Sequence, residues 1–491
     1  MRGLAMSYRG SITRTFWAGF LGLGLCLSSV AIAQKALPSL GDRISGTVSL
    51  GQEYEMGQQF LSQIRRSAPT IPDALLNTYL ESLTYKLASS SELQDHRLSF
   101  VIIDSQDLNA FAAPGGIIGV NTGLFLNAQT EAEFSSVMAH EIAHVSQRHF
   151  ARGVDDAEAG RVTQLASLLA GVLVMATSDA GHGIAAVTAA RGLTRDAQLR
   201  FSRSNEAEAD RIGQNTMFNA GFDPDAMASL FERLIAINRF GRRPPEFLLS
   251  HPVTESRIAD ARGRSSRYPG KEYSDDLEYQ VMRARVITHY APKKADVVTQ
   301  YKSALESSTN EFEVDTNTYG LAMAYWENKQ FGLATQTLAP LLEKDPNRIS
   351  YVVTQAEIYT AQNEAGRTIE FLDRHLAINP NNHPLTIAYY EALSKSRKYS
   401  EAARVLENHT QNRKADHSLW YQLAETWGQA GNVSKVHQSR AEYFMLLSDY
   451  GRAREQLGFA LKIETDNGDT PAEEARLKQK IRNLEQLVRD L

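Results

Sequence analysis

The sequence predicts a mainly α-helical protein with one small β-sheet: a mixed front portion that carries a metal site, then a solenoid of helical repeats. Three observations predict it. His140 and His144 stand four residues apart in Met138-Ala139-His140-Glu141-Ile142-Ala143-His144, one turn apart on one helix face and close enough to grip a single metal ion. Two short apolar runs, 98–103 and 117–120, read as strands just ahead of that helix. Beyond Gly270 the texture turns wholly helical, and small, aromatic and proline positions recur in 34-residue steps.

At 491 residues the chain is too long for one ordinary domain. Its 43% hydrophobic and 22% charged residues suit a globular protein with a sizeable core. The expected divisions are 1–33, 34–270, 271–470 and 471–491. In the first, Arg2, Arg9 and Arg14 precede an apolar run, 16–32, that closes on Ala31-Ile32-Ala33 before Gln34. A basic lead, an apolar stretch and a small-x-small site make a secretory signal peptide. A membrane anchor is the weaker reading, because the run is short and broken by Gly19, Gly22 and Gly24. Cys26 follows Leu25 rather than a small residue and is the only cysteine, so the mature chain relies on core burial and its metal, without disulfides. Removing residues 1–33 moves the formal charge from −5 to −8 (49 basic against 57 acidic). That acidity argues against nucleic acid as a partner.

The elements follow in order. Apolar residues recur at helical spacing over 53–64 and 74–87, with Pro69 and Pro72 between them. Pro114-Gly115-Gly116 is a turn, and the strand after it, through Gly116, Ile117, Ile118 and Gly119, could pair with an extended peptide or simply be an ordinary sheet strand. Glu131-Ala132-Glu133 supplies acidic residues for the first turn of the metal helix, and Glu141 sits where its carboxylate reaches a water on the metal. The apolar runs 165–177 and 184–190, joined through Gly181-His182-Gly183, are each too short to span a bilayer of roughly 20 residues. They read as a helical hairpin over the metal face, with a membrane-dipping hairpin as the alternative and His182 as a loop residue.

A second chemical stretch is Glu206-Ala207-Glu208-Ala209-Asp210. Glu206 and Asp210 share a helical face, whereas Glu208 is rotated about 200° from Glu206 and should point away. Taken alone the stretch reads as a solvated acidic helix face; beside the histidine pair, zinc's need for a third protein ligand favours Glu206 on this second helix. Asp210 then holds a ligating imidazole by its other nitrogen. The histidine that metzincins use instead is excluded, because Gln147 and Phe150 stand in the places of their glycine and histidine.

His140-Glu-Ile-Ala-His144, Glu206-x-x-x-Asp210, His251-Pro252, Glu255-Ser256-Arg257 and the stretch 109–116 together resemble the HtpX/Oma1-like zinc metallopeptidases. With an export signal ahead and repeats behind, the whole mature chain is similar to those members that work in the periplasm on outer-membrane β-barrel assembly. The resemblance implies a zincin-type domain with one Zn2+ bound by His140, His144 and Glu206, and Glu141 as general base. It puts His251 near the metal, either capping it in a latent state or stabilising the tetrahedral intermediate. Arg257 could hold an oxyanion, though a salt bridge to a nearby carboxylate is the better reading. Some relatives carry cysteines and this mature chain has none, so no disulfide is assumed.

Ala322, Tyr325, Ala334, Leu338 and Pro346 fit the tetratricopeptide pattern. Tyr359 and Pro380 follow Tyr325 and Pro346 by 34 residues; Ala356, Tyr390 and Ala424 continue from Ala322 in the same steps, and Trp427 takes the last aromatic slot. Such solenoids bind peptides or proteins on their concave face. The expected activity is metal-assisted peptide hydrolysis in the periplasm, with association to the outer membrane by peripheral contact as a further expectation. The resemblance implies unfolded or stalled outer-membrane proteins as clients and the β-barrel assembly machinery as partner of the repeats. Two rivals stand beside it: a chaperone or scaffold with little proteolysis, and a membrane-dipping protease.

Overall fold

The computed structural model describes residues 48–155, 203–240, 245–468 and 471–490. Residues 1–33, expected to be an export signal, the two apolar runs between 165 and 190 and His182 lie outside the described residues. Among the described residues no helix is long and apolar enough to cross a membrane.

Helix α1 (Leu50–Ser67) begins at a reciprocal cap: Ser49 Oγ accepts the Gln52 N–H, and the Gln52 side chain accepts the Ser49 N–H. Helix α2 (Ala74–Ala88) is capped by Asp73, which accepts the N–H groups of Leu75 and Leu76. Strands β1 (Ser99–Ile103), β2 (Ala110–Ala113) and β3 (Ile117–Asn121) form a sheet in the order β1-β3-β2. β3 runs parallel to β1 and antiparallel to β2. Gly115 and Gly116 turn the hairpin with φ of 73° and 75°, a conformation that favours glycine. At Gly119 a Cβ would lie 2.1 Å from the Phe111 ring, so that position admits no side chain.

This order corrects one expectation. β3 is the middle strand, with its main chain paired on both sides, and the Gly116 carbonyl already accepts the Ser99 N–H at 3.0 Å. Gly116, Ile117, Ile118 and Gly119 therefore cannot pair with an incoming peptide. The edge strands are β1 and β2, and of these β2 packs on the helix that carries His140 and His144.

After α3 (Gly123–Asn127), helix α4 (Glu131–Ser146) starts at Thr130, whose side chain accepts the Glu133 N–H. Every residue of α4 from Glu133 to His144 is buried, because α2, β2, α6 (Arg203–Ala220) and α7 (Ala226–Phe240) all pack on it. A helix enclosed on all sides has no polar face, and its polar residues must find partners inside. α6 approaches closely at Gly213, where a Cβ would lie 3.2 Å from the His140 backbone nitrogen. Between them in sequence comes α5 (His149–Asp155); beyond α7 come α8 (Glu246–Ser250) and α9 (Glu255–Ser265).

The repeats begin inside the same core. α10 (Leu277–Tyr290) buries Tyr279 against Phe125 and Phe134, and the Tyr279 hydroxyl donates to the Ala128 carbonyl at 2.8 Å. After α11 (Lys294–Glu306) and α12 (Glu311–Glu327) the hairpins become regular. The second helices α13 (Phe331–Lys344), α15 (Ala365–Ile378), α17 (Tyr399–Asn412) and α19 (Val433–Leu446) start 34 residues apart; α14 (Ile349–Ala361), α16 (His383–Lys395) and α18 (His417–Gln429) alternate with them. The bends share one chemistry. Lys329, Asn363, Arg397 and Gly431 are all left-handed, and the next N–H returns to the carbonyls of Tyr325, Tyr359, Leu393 and Trp427, a Schellman closure repeated in register. Helices α20 (Tyr450–Asn467) and α21 (Pro471–Asp490) finish the stack.

The solenoid curls back onto α1 and α2. Arg285 of α10 is nearly enclosed and pairs with Asp73 at the start of α2 and Glu357 of α14, both at 2.8 Å. Arg65 donates to the Ala415 and Leu446 carbonyls, Arg66 to that of Leu447, and Arg413 pairs with Glu81 at 3.0 Å. Removing one member of a buried ionic cluster leaves the others uncompensated. Arg285→Ala should therefore cost about 3 kcal/mol, read as a lowered midpoint in chemical denaturation, whereas Arg413→Ala should cost less than about 1 kcal/mol.

Candidate metal centre

Three elements bring the site together. α4 presents His140, Glu141 and His144, α6 presents Glu206 and Asp210, and His251 caps the end of α8. All six side chains are buried. One donor atom from each of His140, His144, Glu206 and His251 lies within 4.8 Å of the other three. His140 Nε2 stands 3.0 Å from His144 Nε2 and 3.2 Å from His251 Nδ1; the Glu206 carboxylate is 3.5 Å from His140 and His144 and 3.0 Å from His251. Three imidazoles and one carboxylate converging on a buried point suit a divalent first-row metal.

The electrostatics say the same. Burial alone would disfavour charge on His140, but the carboxylates of Asp210 and Glu206 outweigh it and push its pKa up to about 9. Burial pushes Glu206 up as well, yet His251 and His140 hold it well below the usual carboxylate range. His144 is driven well down, by burial first and then by its histidine neighbours. The cluster wants one positive charge, which a metal ion or a proton on His140 supplies, so the two compete. Glu141 differs: burial raises its carboxyl against the pull of His251 and His140, no side chain of the described residues donates to either oxygen, and only the Ala112 backbone of β2 comes near it as a donor. Its closest basic neighbour is His251 Nε2, at 3.5 Å. A buried carboxylate that no side chain of the described residues donates to, beside a four-donor cluster, is a place for water or substrate.

Asp210 Oδ1 lies 3.0 Å from His140 Nδ1, the ring nitrogen facing away from the cluster. Arg257 holds Asp210 with two bonds of 2.8 Å, reaches Glu206 at 3.0 Å, and donates to the Pro252 carbonyl beside His251. Its guanidinium is thus engaged by two carboxylates and one backbone carbonyl.

Sequence reasoning passed over His149. Glu208 does turn away from Glu206, but it meets His149 Nε2 at 3.0 Å, and His149 Nδ1 lies 2.8 Å from His144 Nδ1. The missed signal was the helix break at Arg148, which has φ of 51°; helical periodicity alone puts position 149 elsewhere.

Residues 74–265 match Peptidase family M48. The chain is 35% identical over 437 residues to the putative beta-barrel assembly-enhancing protease of Vibrio cholerae serotype O1, covering 88% of this chain and 90% of that one. The chain belongs to peptidase family M48. It is a metallopeptidase. It is also 32% identical over 468 residues to the beta-barrel assembly-enhancing protease of Escherichia coli K12, covering 95% of this chain and 94% of that one. Against the mitochondrial metalloendopeptidase OMA1 of Schizosaccharomyces pombe it is 29% identical over 227 residues, 45% of this chain and 64% of that one. The M48 match covers both motif helices and His251 but stops before the repeats, whereas the two bacterial matches run through them.

Glu246 opens α8, the helix that ends at His251. Burial first, and Asp107 second, push its carboxyl up to about 7 from an ordinary 4.5, against a bond from Asn109. A carboxyl raised in the folded state binds protons more readily folded than unfolded, so stability falls as pH rises from about 4.5 to about 7 and stays lower above that. Glu246→Gln removes this loss. Its melting temperature should match the parent's at pH 4 and exceed it at pH 8, measured by calorimetric scans at both.

Proposed function

We propose that this chain is a periplasmic zinc endopeptidase that clears unfolded or stalled outer-membrane β-barrel proteins, with its repeats holding the client or the assembly machinery. The observation that carries the chemistry is the buried four-donor cluster beside the Glu141 carboxylate, to which no side chain of the described residues donates. The client class rests on the names of the bacterial relatives, the export signal at 1–33 and the protein-binding habit of such solenoids. In this reading 34–270 is the peptidase, 271–470 the repeats and 471–491 a terminal cap or partner contact.

His140, His144 and Glu206 would hold the zinc. When bound, it supplies Lewis acidity that makes a water acidic and polarises a carbonyl. Glu141 takes the proton from the attacking water and returns it to the leaving amine. Asp210 and Arg257 keep His140 and Glu206 in place. Substrate would lie extended along β2, the sheet edge that packs on α4, by main-chain pairing.

His251 occupies the fourth donor place and reaches toward Glu141, which favours a latent resting state. α8 also meets the loop before β2, where the Phe247 N–H donates to the Leu108 carbonyl at 3.2 Å. Displacing α8 would thus clear the fourth position and release the loop that leads into β2, after which His251 could stabilise the oxyanion.

The test is zinc content and casein cleavage on mature protein. One zinc per chain is expected, with Glu141→Gln keeping the metal and losing about 10²–10⁴-fold in rate, and His251→Ala cleaving faster than the parent. Absence of zinc would overturn the reading. Full complementation in cells by Glu141→Gln would favour the chaperone rival.

A further inference from the structure

The two ligand histidines of α4 are held from behind in different ways. Behind His140 stands a carboxylate, Asp210, itself gripped by Arg257. Behind His144 stands a second imidazole: His149 Nδ1 lies 2.8 Å from His144 Nδ1. The carboxylate comes one step later, with Glu208 Oε2 3.0 Å from His149 Nε2 and 2.9 Å from Arg152 Nη1. The His149 side chain is fully buried, while Glu208 is 28% exposed.

We propose that His149 and Glu208 form a positioning relay that fixes the tautomer and orientation of His144 as a metal ligand. The proton order follows from the donors available. A carboxylate only accepts, so His149 Nε2 must carry the hydrogen that faces Glu208. In a neutral ring that leaves a lone pair on His149 Nδ1, which accepts the Nδ1–H of His144. His144 Nε2 is then a bare lone pair, and it is the atom 3.0 Å from His140 Nε2 and 3.5 Å from Glu206. With the opposite order, His149 Nε2 and Glu208 would face each other lone pair to lone pair.

The backbone is built for this contact. Position 149 is five residues after 144, about 140° away around a continuous helix. The left-handed turn at Arg148 ends α4 and brings His149 back behind His144. Arg148 is secured in turn by Glu53 of α1 at 3.1 Å, both side chains being buried. The chain adopts a costly conformation at Arg148 and holds it with a buried ion pair, and the product is the His144–His149 contact. Partners of this kind typically change metal affinity by about 10–100-fold when removed.

The inference rests on the metal-centre reading, so its test reads the metal directly. Zinc affinity by competition with a chelator of known strength, and the rate of zinc release into excess chelator, would be measured on the full mature chain. The variants are His149→Phe, His149→Asn and Glu208→Ala, with melting of each metal-free form alongside. His149→Phe should bind about 10–100-fold more weakly. His149→Asn, whose side-chain oxygen can take the place of the accepting Nδ1, should lie between it and the parent. Glu208→Ala, at a partly exposed position, should release zinc faster by more than any fall in its metal-free melting temperature accounts for. Parent-like affinity in all three variants would overturn the relay while leaving the metal centre intact. Equal weakening of Phe and Asn that tracks their melting temperatures would overturn it as well, since simple packing would do that. If His149→Phe does not fold, Asn and Glu208→Ala decide between the same outcomes. A parent chain that binds no zinc would sink both readings.

Discussion

Everything at the centre depends on how closely α6 can approach α4. Gly213 sets that distance, since any side chain there would press on the His140 backbone. The close crossing puts the carboxylates of Glu206 and Asp210 against three imidazoles in a space that excludes bulk water. Carboxylates so placed are costly unless a positive charge joins them. His140, pushed up to about 9, shows the strength of that demand. The cation site is thus a consequence of helix packing as much as of ligand identity.

The same demand propagates outward. Asp210 orders His140 but is itself buried, so it needs Arg257; Arg257 is held over the Phe231 ring and by the Pro252 carbonyl. On the other side Glu208 needs Arg152. Each layer satisfies the charge of the one inside it, until the outermost members, Glu208 and Arg152, reach partial exposure. Networks of this type are rigid when complete and expensive when broken. Glu141 stands apart, buried with no side-chain donor among the described residues and only the Ala112 backbone near it, as suits a group whose partner arrives with the reaction.

Much of this was legible in the residues. The two-histidine spacing, the Glu206/Asp210 pair and the 34-residue phase each depend on local periodicity, which sequence displays directly. Ala322, Ala334, Leu338 and Ala356 are fully buried, as repeat packing requires. Strand order is a different kind of fact. Both short runs read as strands, but whether β3 is central or at an edge depends on pairings across 18 residues that no local pattern encodes. His149 was missed for a related reason. Its place is set by one left-handed residue, and nothing in the arginine side chain at 148 announces that conformation. The expected roles of His251 and Arg257 rest on the family resemblance, because these residues join the site from a distant part of the chain.

The contacts between repeats and peptidase are unequal, and that inequality bears on how the molecule can move. Arg285 is almost wholly enclosed, with two carboxylate partners and the Tyr319 and Thr354 hydroxyls within reach. Separating α10 from α2 would expose or orphan a buried charge, and α10 also shares the aromatic core of Phe125, Phe134 and Tyr279. At the far end of the solenoid, Arg413 and Glu81 are each about a quarter to a third exposed. Pairs so exposed contribute about 1 kcal/mol or less and weaken with salt. Arg65 and Arg66 add bonds to backbone carbonyls there, without a buried apolar layer comparable to that around Tyr279. The first helices of the solenoid are therefore anchored as part of the peptidase, while the later hairpins rest on α1 and α2 through weaker links. Any opening of the curl should begin at α17 to α20 and leave the α10 anchor, and with it the metal centre, undisturbed.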